Sequence, residues 1–428
     1  MSVIAKSGTR PTGRRQIAAA IVGNALEWYD FTIYGYLAAT IARLFFHNGN
    51  SLAPLATTLA LFGGAFFVRP VGGIVMGHFA DLYGRKSILV ATIALMTLGT
   101  LLIAAAPGYA TAGRLAPVTI LVARLIQGLS VGGEFASATT LLIEIAPPGR
   151  RGLYGGWQFS GQGAAILLAG IVGSWLTYAL SPEQIDAWGW RLPFVIGLLI
   201  GPIGIYMRWR LPETAEFERF RATRGARILP IALTAAGLKG RVLAAFGLMA
   251  GGTAAVYVLF VFMPTYAIRV LHVDMATAFI APLAAGATVT IGCPIGGYLS
   301  DRFGRRRVMA IAALALLATL SPAFLWLRAA PSVARLAGVE ILFGAVISAY
   351  AGPLGTAIAE LFPTALRATA TSVAYNLGVA CFGATAPLIV AWLIAETGSA
   401  LAPAAYVMAA LLVSLAALMA LPAPDRGA

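Results

Sequence analysis

The sequence predicts an all-α membrane protein of twelve transmembrane helices in two pseudo-symmetric six-helix halves, and three observations carry that expectation. Of 428 residues, 59% are hydrophobic and only 11% charged, with a mean hydropathy of +0.84. That is too little polar surface for a soluble globule of this length. Apolar stretches of about 20 residues, the length that crosses the hydrocarbon core, recur along the whole chain. A charged signature is also written twice, as Gly77-His-Phe-Ala-Asp81-Leu-Tyr-Gly84-Arg85-Lys86 and Gly297-Tyr-Leu-Ser-Asp301-Arg-Phe-Gly304-Arg305-Arg306, 220 residues apart. A second pair, Glu144-Ile-Ala-Pro147 with Arg151 and Glu360-Leu-Phe-Pro363 with Arg367, repeats at an offset of 216. A membrane protein built from two repeats points to a transporter.

In chain order the expected spans are 17–45, 55–80, 88–106, 115–143, 155–179, 190–209, 242–268, 275–299, 308–327, 332–359, 368–395 and 401–421. Glycine and proline inside them are tolerated where neighbouring helices satisfy the freed backbone groups. Residues 1–209 then form the N-terminal half and 241–428 the C-terminal half. Between them, 210–240 is a charged cytoplasmic linker, partly helical, that acts as a solvated hinge or as a regulatory and partner-binding segment. The first span carries Glu27 and Asp30 and lacks a small-residue cleavage site, so it reads as a retained helix and not a signal peptide.

The net charge of +14 would suit nucleic acid if it were gathered on one soluble domain. Instead, 22 of the 30 Lys and Arg fall on one set of alternate loops and the termini, six on the other set, and two, Arg69 and Arg124, inside spans. This is the positive-inside pattern and puts both termini in the cytoplasm. Cys293 and Cys381 are expected to be buried packing residues, and His47, His78 and His272 form no cluster. No metal, cofactor or enzymatic nucleophile is implied. Nothing in the sequence requires more than a monomer.

Chemistry is expected at the ionisable residues inside the spans, each costly unless paired or hydrated: Glu27, Asp30, Arg69, Arg124, Glu134 and Glu340. Glu27 and Asp30 share a helix face. Two such acids close together do not both ionise easily, so one becomes a proton acceptor; alternatively both are held by Arg or Tyr groups and never titrate. At the 216-residue offset Gly128 falls on Gly344 and Arg124 on Glu340, which puts an arginine and a glutamate at equivalent depths on opposite walls. Arg124 is the leading anion anchor, because guanidinium stays protonated and grips carboxylate with two donors. Glu340 is expected to be its counter-ion, or each pairs within its own half. Arg69 is a second anion contact or a packing residue. Glu134 lies ten residues beyond Arg124, roughly 15 Å along a helix, and reads as structural or gating. Gln158, Gln162, Tyr34, Tyr257, Tyr375 and Asn376 are candidate neutral cavity groups, while Gly128, Gly132 and Gly133 suit close helix contact.

In the repeated loops, Asp81 and Asp301 can pair with a basic side chain or sit at a neighbouring helix N-terminus, where the dipole favours negative charge. Gly84 and Gly304 permit the turn, and Arg85, Lys86, Arg305 and Arg306 hold it on the anionic inner leaflet. Glu144 with Arg151, and Glu360 with Arg367, are expected to add ion pairs that break when the cytoplasmic side opens.

The repeated G-x-x-x-D-x-x-G-R-[RK] loop resembles the hallmark of the major facilitator superfamily. Gly23-Asn-Ala-Leu-Glu27-Trp-Tyr-Asp30-Phe-Thr-Ile-Tyr34-Gly35, Arg69-Pro70, Trp188-Gly-Trp190-Arg191-Leu-Pro193-Phe194 and Leu211-Pro-Glu213-Thr214-Ala-Glu216-Phe217 are similar to its metabolite:proton symporters. Pro107-Gly-Tyr109, Leu115-Ala-Pro117 and Arg124-Leu-Ile-Gln-Gly128 look most like the citrate and tricarballylate branch. Leu82 departs from the pattern, since that family usually has Arg there. The resemblance implies the major facilitator fold in a bacterial inner membrane and proton-coupled import of a small organic anion by alternating access. Two basic positions and few aromatic cavity candidates favour a di- or tricarboxylate such as citrate. Alternatives are 2-oxoglutarate, shikimate-like or aromatic acids and betaine- or proline-type osmolytes. Drug antiport is disfavoured because Gly155 to Gly173 contains no proline. The partners implied are the anion, the proton and membrane lipid, with no nucleic acid.

Overall fold

In hydrocarbon every backbone group must find its partner inside its own segment, and long apolar runs therefore become helices. The computed structural model describes residues 13–46, 52–83, 85–132, 134–209, 239–363 and 367–420. Span 1 is Gly13–Tyr36, continued past a turn at Leu37 as Ala38–Phe45. Spans 2 and 3 are Leu52–Tyr83 and Arg85–Ala105. Span 4 is Leu115–Val131 continued as Glu134–Ile145, and spans 5 and 6 are Arg151–Ala179 and Leu192–Trp209. Span 7 runs from Lys239–Ala255 through a π-helical Val256–Val261 into Met263–Arg269. Spans 8, 9 and 10 are Ile280–Phe303, Arg305–Ala329 and Val333–Glu360. Span 11 is Arg367–Gly378, a π-helical Val379–Ala384 and Ala386–Thr397; span 12 is Ala402–Ala420.

Among the described residues nine helices are long and apolar enough to cross a membrane on their own, and Val90–Ala105 and Leu115–Val131 are shorter apolar helices. Span 1 completes the twelve; its buried Glu27 and Asp30 lower its hydropathy. Span 7 is helical from Lys239, three residues before its expected start at 242; residues 210–238 of the linker lie outside the described residues.

The halves meet along spans 5 and 8, where span 5 presents glycines so that backbones touch. A Cβ at Gly156 would lie 2.5 Å from the Cys293 carbonyl oxygen, and one at Gly163 2.5 Å from the Thr290 nitrogen. This is the small-residue packing that membrane helices use in place of a hydrophobic drive. Spans 2 and 4 are equally close within the N-terminal half. Gly128 faces the Ala65 carbonyl and Gly132 the Arg69 carbonyl with no space for a side chain, so those two glycines do serve close helix contact. The two π-helical segments face each other: the Tyr257 ring occupies the place where Gly383 has no side chain. Cys293 is buried as expected, but Cys381 is exposed, on a face of span 11 that no other part of the described chain covers.

Candidate functional site

A guanidinium stays charged, so an arginine buried in a span must be matched by acids, π faces or hydrogen-bond acceptors. Span 2 supplies Arg69 and span 4 Arg124, both buried. Arg69 Nη2 lies 3.3 Å from Glu27 Oε1 on span 1. Its guanidinium also sits 3.9 Å from the Phe66 ring centre and 4.6 Å from that of Phe31. Arg124 stacks 3.5 Å over the Tyr34 ring and lies 5.5 Å from the same Phe31 ring. Phe31 thus has both cations beside it, at most about 10 Å from one another.

The two acids of span 1 do not share one site. Three residues turn a helix by about 300°, leaving the side chains some 60° apart, and each goes to its own arginine. Glu27 meets Arg69, while Asp30 interacts electrostatically with Arg124 and accepts a hydrogen bond from Thr100 Oγ1 of span 3. Gly197 of span 6 makes room for this, since a Cβ there would lie 2.6 Å from Asp30 Oδ1. Arg124 Nη1 donates to Gln127 Oε1 at 2.8 Å, and Gln127 Nε2 donates to Thr100 Oγ1 at 3.1 Å. Arg124 Nε and Nη2 meet no hydrogen-bond acceptor among the described residues.

Glu340 is completely buried in span 10. It follows Val333 by seven residues, as Arg124 follows Leu115 by nine, which at about 1.5 Å per residue puts them within one turn of the same depth. The expected counter-ion contact is absent: among the described residues Glu340 has no ion pair, and neither of its oxygens has a hydrogen-bond partner. Arg124 turns instead toward span 1, where Asp30 and Tyr34 engage it, and bonds Gln127 of its own span.

The neutral candidates divide. The Gln158 carboxamide is buried with neither end hydrogen-bonded among the described residues, and Gln162 lies beside Tyr375. Tyr375 stacks on Phe135 with ring centres 3.6 Å apart. The Tyr257 hydroxyl has no partner among the described residues, and its ring packs on Trp28, Phe62 and Phe66. Asn376 is already occupied: its Nδ2 donates at 2.6 Å to the carbonyl of Gly132, where span 4 breaks, and Ser372 Oγ donates to the same oxygen at 3.0 Å. It ties the halves together and does not face the arginines as a free donor. Tyr34 offers its ring to Arg124 and its hydroxyl to the Thr58 carbonyl at 3.4 Å.

At one end of the bundle the second repeated loop closes the halves. Asp301 accepts from the Gly152 and Leu153 backbone nitrogens at 2.7 and 2.9 Å, so it sits on the N-terminus of span 5, and Arg305 Nη1 donates to it at 2.9 Å. Arg305 grips Glu360 with two donors, at 2.7 and 2.9 Å. Glu360 is therefore not paired with Arg367, as expected from sequence; the chain turns after Leu361, and Arg367 Nε donates to the Ala359 carbonyl at 3.0 Å, capping the end of span 10. Gly304 has φ +90°, a conformation that a side chain would strain. The Arg151 carbonyl accepts from Thr356 Oγ1 at 3.1 Å. Glu144 is exposed. The side chains of Asp81, Arg85 and Glu134, and Gly84 as a whole, lie outside the described residues, as does His47.

Toward the other end Tyr36 meets Phe279 edge-on at 5.8 Å, so contacts between the halves lie on both sides of the buried arginines. Sequence reasoning missed Trp28, Phe31, Phe62 and Phe66, and the expectation of few aromatics around the charges is overturned. Gln127 was within reach, three residues after Arg124 and so on the same helix face. No local signal marks Thr100.

The Major Facilitator Superfamily family model matches residues 20–377 and, in a second match, 284–428. The chain is 39% identical to a citrate-proton symporter of Salmonella typhi over 92% of this chain and 91% of that one. It is 38% identical to a citrate-proton symporter of Klebsiella pneumoniae, covering 89% and 85%, and 32% identical to a proline/betaine transporter of Escherichia coli, covering 94% and 82%. Among solved structures it is similar to the xylose transporter XylE from E. coli in a partially occluded inward open conformation, with a TM-score of 0.75 over 94% of this chain and 96% of that one at 16% identity.

Proposed function

Since this chain belongs to the Major Facilitator Superfamily, we propose that it is a proton-coupled symporter that imports a small organic anion, a di- or tricarboxylate such as citrate, by alternating access. The observation that carries the reading is the pair of buried arginines beside Phe31, balanced by two acids on span 1. With both acids ionised the site is neutral. Protonating one leaves a net cation in a low-dielectric setting, which draws in carboxylate. Proton and anion then favour each other's binding, and that mutual preference is symport. Arg124 and Arg69 grip the carboxylates, Asp30 takes the proton and Glu27 steadies Arg69. Gln158, Gln162, Tyr257 and Tyr375 supply neutral polar groups. The citrate-proton symporters of S. typhi and K. pneumoniae, at 39% and 38% identity over most of this chain, support the substrate class.

The distribution of basic residues supports a cytoplasmic position for the Arg305 end and both termini, in a bacterial inner membrane. There, Asp301 and the Arg151 carbonyl tie the halves together and Arg305 and Glu360 brace Asp301, while Asn376 adds a tie deeper in the bundle. One chain carries all of these groups, so we take a monomer as the working unit.

A second reading is a zwitterionic osmolyte, favoured by the Trp28, Phe62, Phe66 and Tyr257 rings, since aromatic faces attract a quaternary ammonium. Uptake of labelled citrate into proteoliposomes under an inward proton gradient separates the two, with unlabelled carboxylates, shikimate and betaine as competitors. Citrate uptake that collapses with protonophore is expected. Folded protein that takes up betaine but not citrate would replace the carboxylate reading with the osmolyte one.

A further inference from the structure

Between Arg124 and Asp30 runs an unbroken, directed chain of hydrogen bonds through two residues that carry no charge. Arg124 Nη1 donates to Gln127 Oε1, Gln127 Nε2 donates to Thr100 Oγ1, and the Thr100 hydroxyl donates to Asp30 Oδ2. All four side chains are buried, so water does not compete for these bonds. Two glycines clear the path. A Cβ at Gly99 would lie 2.5 Å from Gln127 Cγ, and one at Gly197 would lie 2.6 Å from Asp30 Oδ1. We propose that Thr100 and Gln127 are positioning residues that carry the protonation state of Asp30 to Arg124. The inference rests on the reading of Asp30 as the proton acceptor and Arg124 as the anion anchor.

Thr100 has a second acceptor in place, which makes the link switchable. Its Oγ1 lies 3.0 Å from the Met96 carbonyl as well as within reach of Asp30, and a hydroxyl has one hydrogen to give. With Asp30 ionised, that hydrogen points to the carboxylate, and the chain is charge-assisted at both ends, which strengthens every bond in it. Gln127 then holds Arg124 toward span 3. When Asp30 takes up a proton, its new O–H donates to Thr100 Oγ1 and the Thr100 hydrogen turns to Met96. No bond in the protein is broken, but the negative end of the chain is gone. Arg124 keeps its charge, loses the pull and is freer to grip a carboxylate. The groups facing Asp30 are Arg124 from span 4, Tyr29 from its own helix, Thr100 from span 3 and Gly197 from span 6.

The test measures the KM for labelled citrate in exchange, with equal pH on both sides, between acid and alkaline pH. In the wild type KM should rise at least tenfold from acid to alkaline pH. Thr100→Val and Gln127→Met should both flatten that rise to less than threefold while exchange persists, and Thr100→Ser, which keeps the hydroxyl, should restore it. If Thr100→Val and Gln127→Met, shown to be folded by gel filtration in detergent, keep the wild-type dependence, the relay is wrong. If instead Asp30→Asn keeps that dependence, or the wild type shows none, the assignment of the proton to Asp30 fails and the relay with it.

Discussion

The two halves carry the same loop signature and matching glycines, Gly128 and Gly344, yet they treat charge at the centre of the bundle differently. Among the described residues the N-terminal half pairs acids with arginines at the centre, with Glu27 against Arg69 and Asp30 linked to Arg124, and carries the exposed Arg43–Asp186 pair as well. Among the described residues the C-terminal half holds its ion pairs at the end of the bundle, in the Asp301–Arg305–Glu360 cluster, and at the centre its buried acid, Glu340, makes no ion pair. Gene duplication gives two equal backbone walls. An arginine at the Glu340 depth would add a third cation to a dry centre with two acids, at a cost of several kcal/mol. On the proposed reading the N-terminal half binds, and the C-terminal half supplies the latch.

The sharpest way to break that comparison is Arg124→Gln. It removes the charge and the N–H groups of Nε and Nη2 that meet no acceptor among the described residues, and citrate uptake should fall a hundredfold or more, on the order of 3 kcal/mol for a charged hydrogen-bonded contact; folded protein with wild-type uptake would end the anchor assignment. Next comes Asp301→Asn at the latch. The amide cannot accept from two backbone nitrogens and Arg305 together, so the initial uptake rate should drop about tenfold with KM little changed. A change in KM without a change in rate would place Asp301 in binding and erase the division between the halves. A smaller effect is expected from Gly197→Ala, whose new Cβ would press on Asp30; overpacking of this kind costs about 1–3 kcal/mol, and uptake should fall about fivefold. Gly64→Ala is the control, because a Cβ there meets nothing within 4 Å.

Much of the architecture was legible because hydrophobic length is a local property. The spans fall within a few residues of their expected places, and Asp301 sits at a helix N-terminus as one of its two anticipated partnerships. The breaks at Leu37 and after Val131, and the π-helical turns around Tyr257 and Gly383, were not legible, since they answer to a neighbour's shape and not to the local sequence. The site was half legible. An isolated charge in an apolar run is conspicuous, so Arg69, Arg124, Glu27, Asp30 and Glu340 stood out, but their partners did not. Thr100 is 70 residues from Asp30 in the chain, and a threonine in a span is unremarkable until tertiary packing brings it to the acid. Helical spacing also misled: it put Glu27 and Asp30 on one face, and the arginines pulled them apart.

Glu340→Gln separates depth from chemistry. Sequence symmetry assigned this acid a role across from Arg124, yet in the structure it makes no ion pair and no hydrogen bond among the described residues. A carboxyl group without partners makes no contact that a substitution can remove. Glutamine has nearly the same shape, so the substitution removes little. Citrate uptake and its dependence on the proton gradient should stay within about twofold of wild type, less than the roughly 0.5 kcal/mol that separates an ordinary neutral change from a functional one. Glu340→Lys, by contrast, would put a cation into that dry wall and should prevent folding into the membrane. A Glu340→Gln protein that folds, exchanges citrate and yet no longer concentrates it under a proton gradient would show that the C-terminal wall carries a proton of its own, and the chemistry would then be shared between the halves.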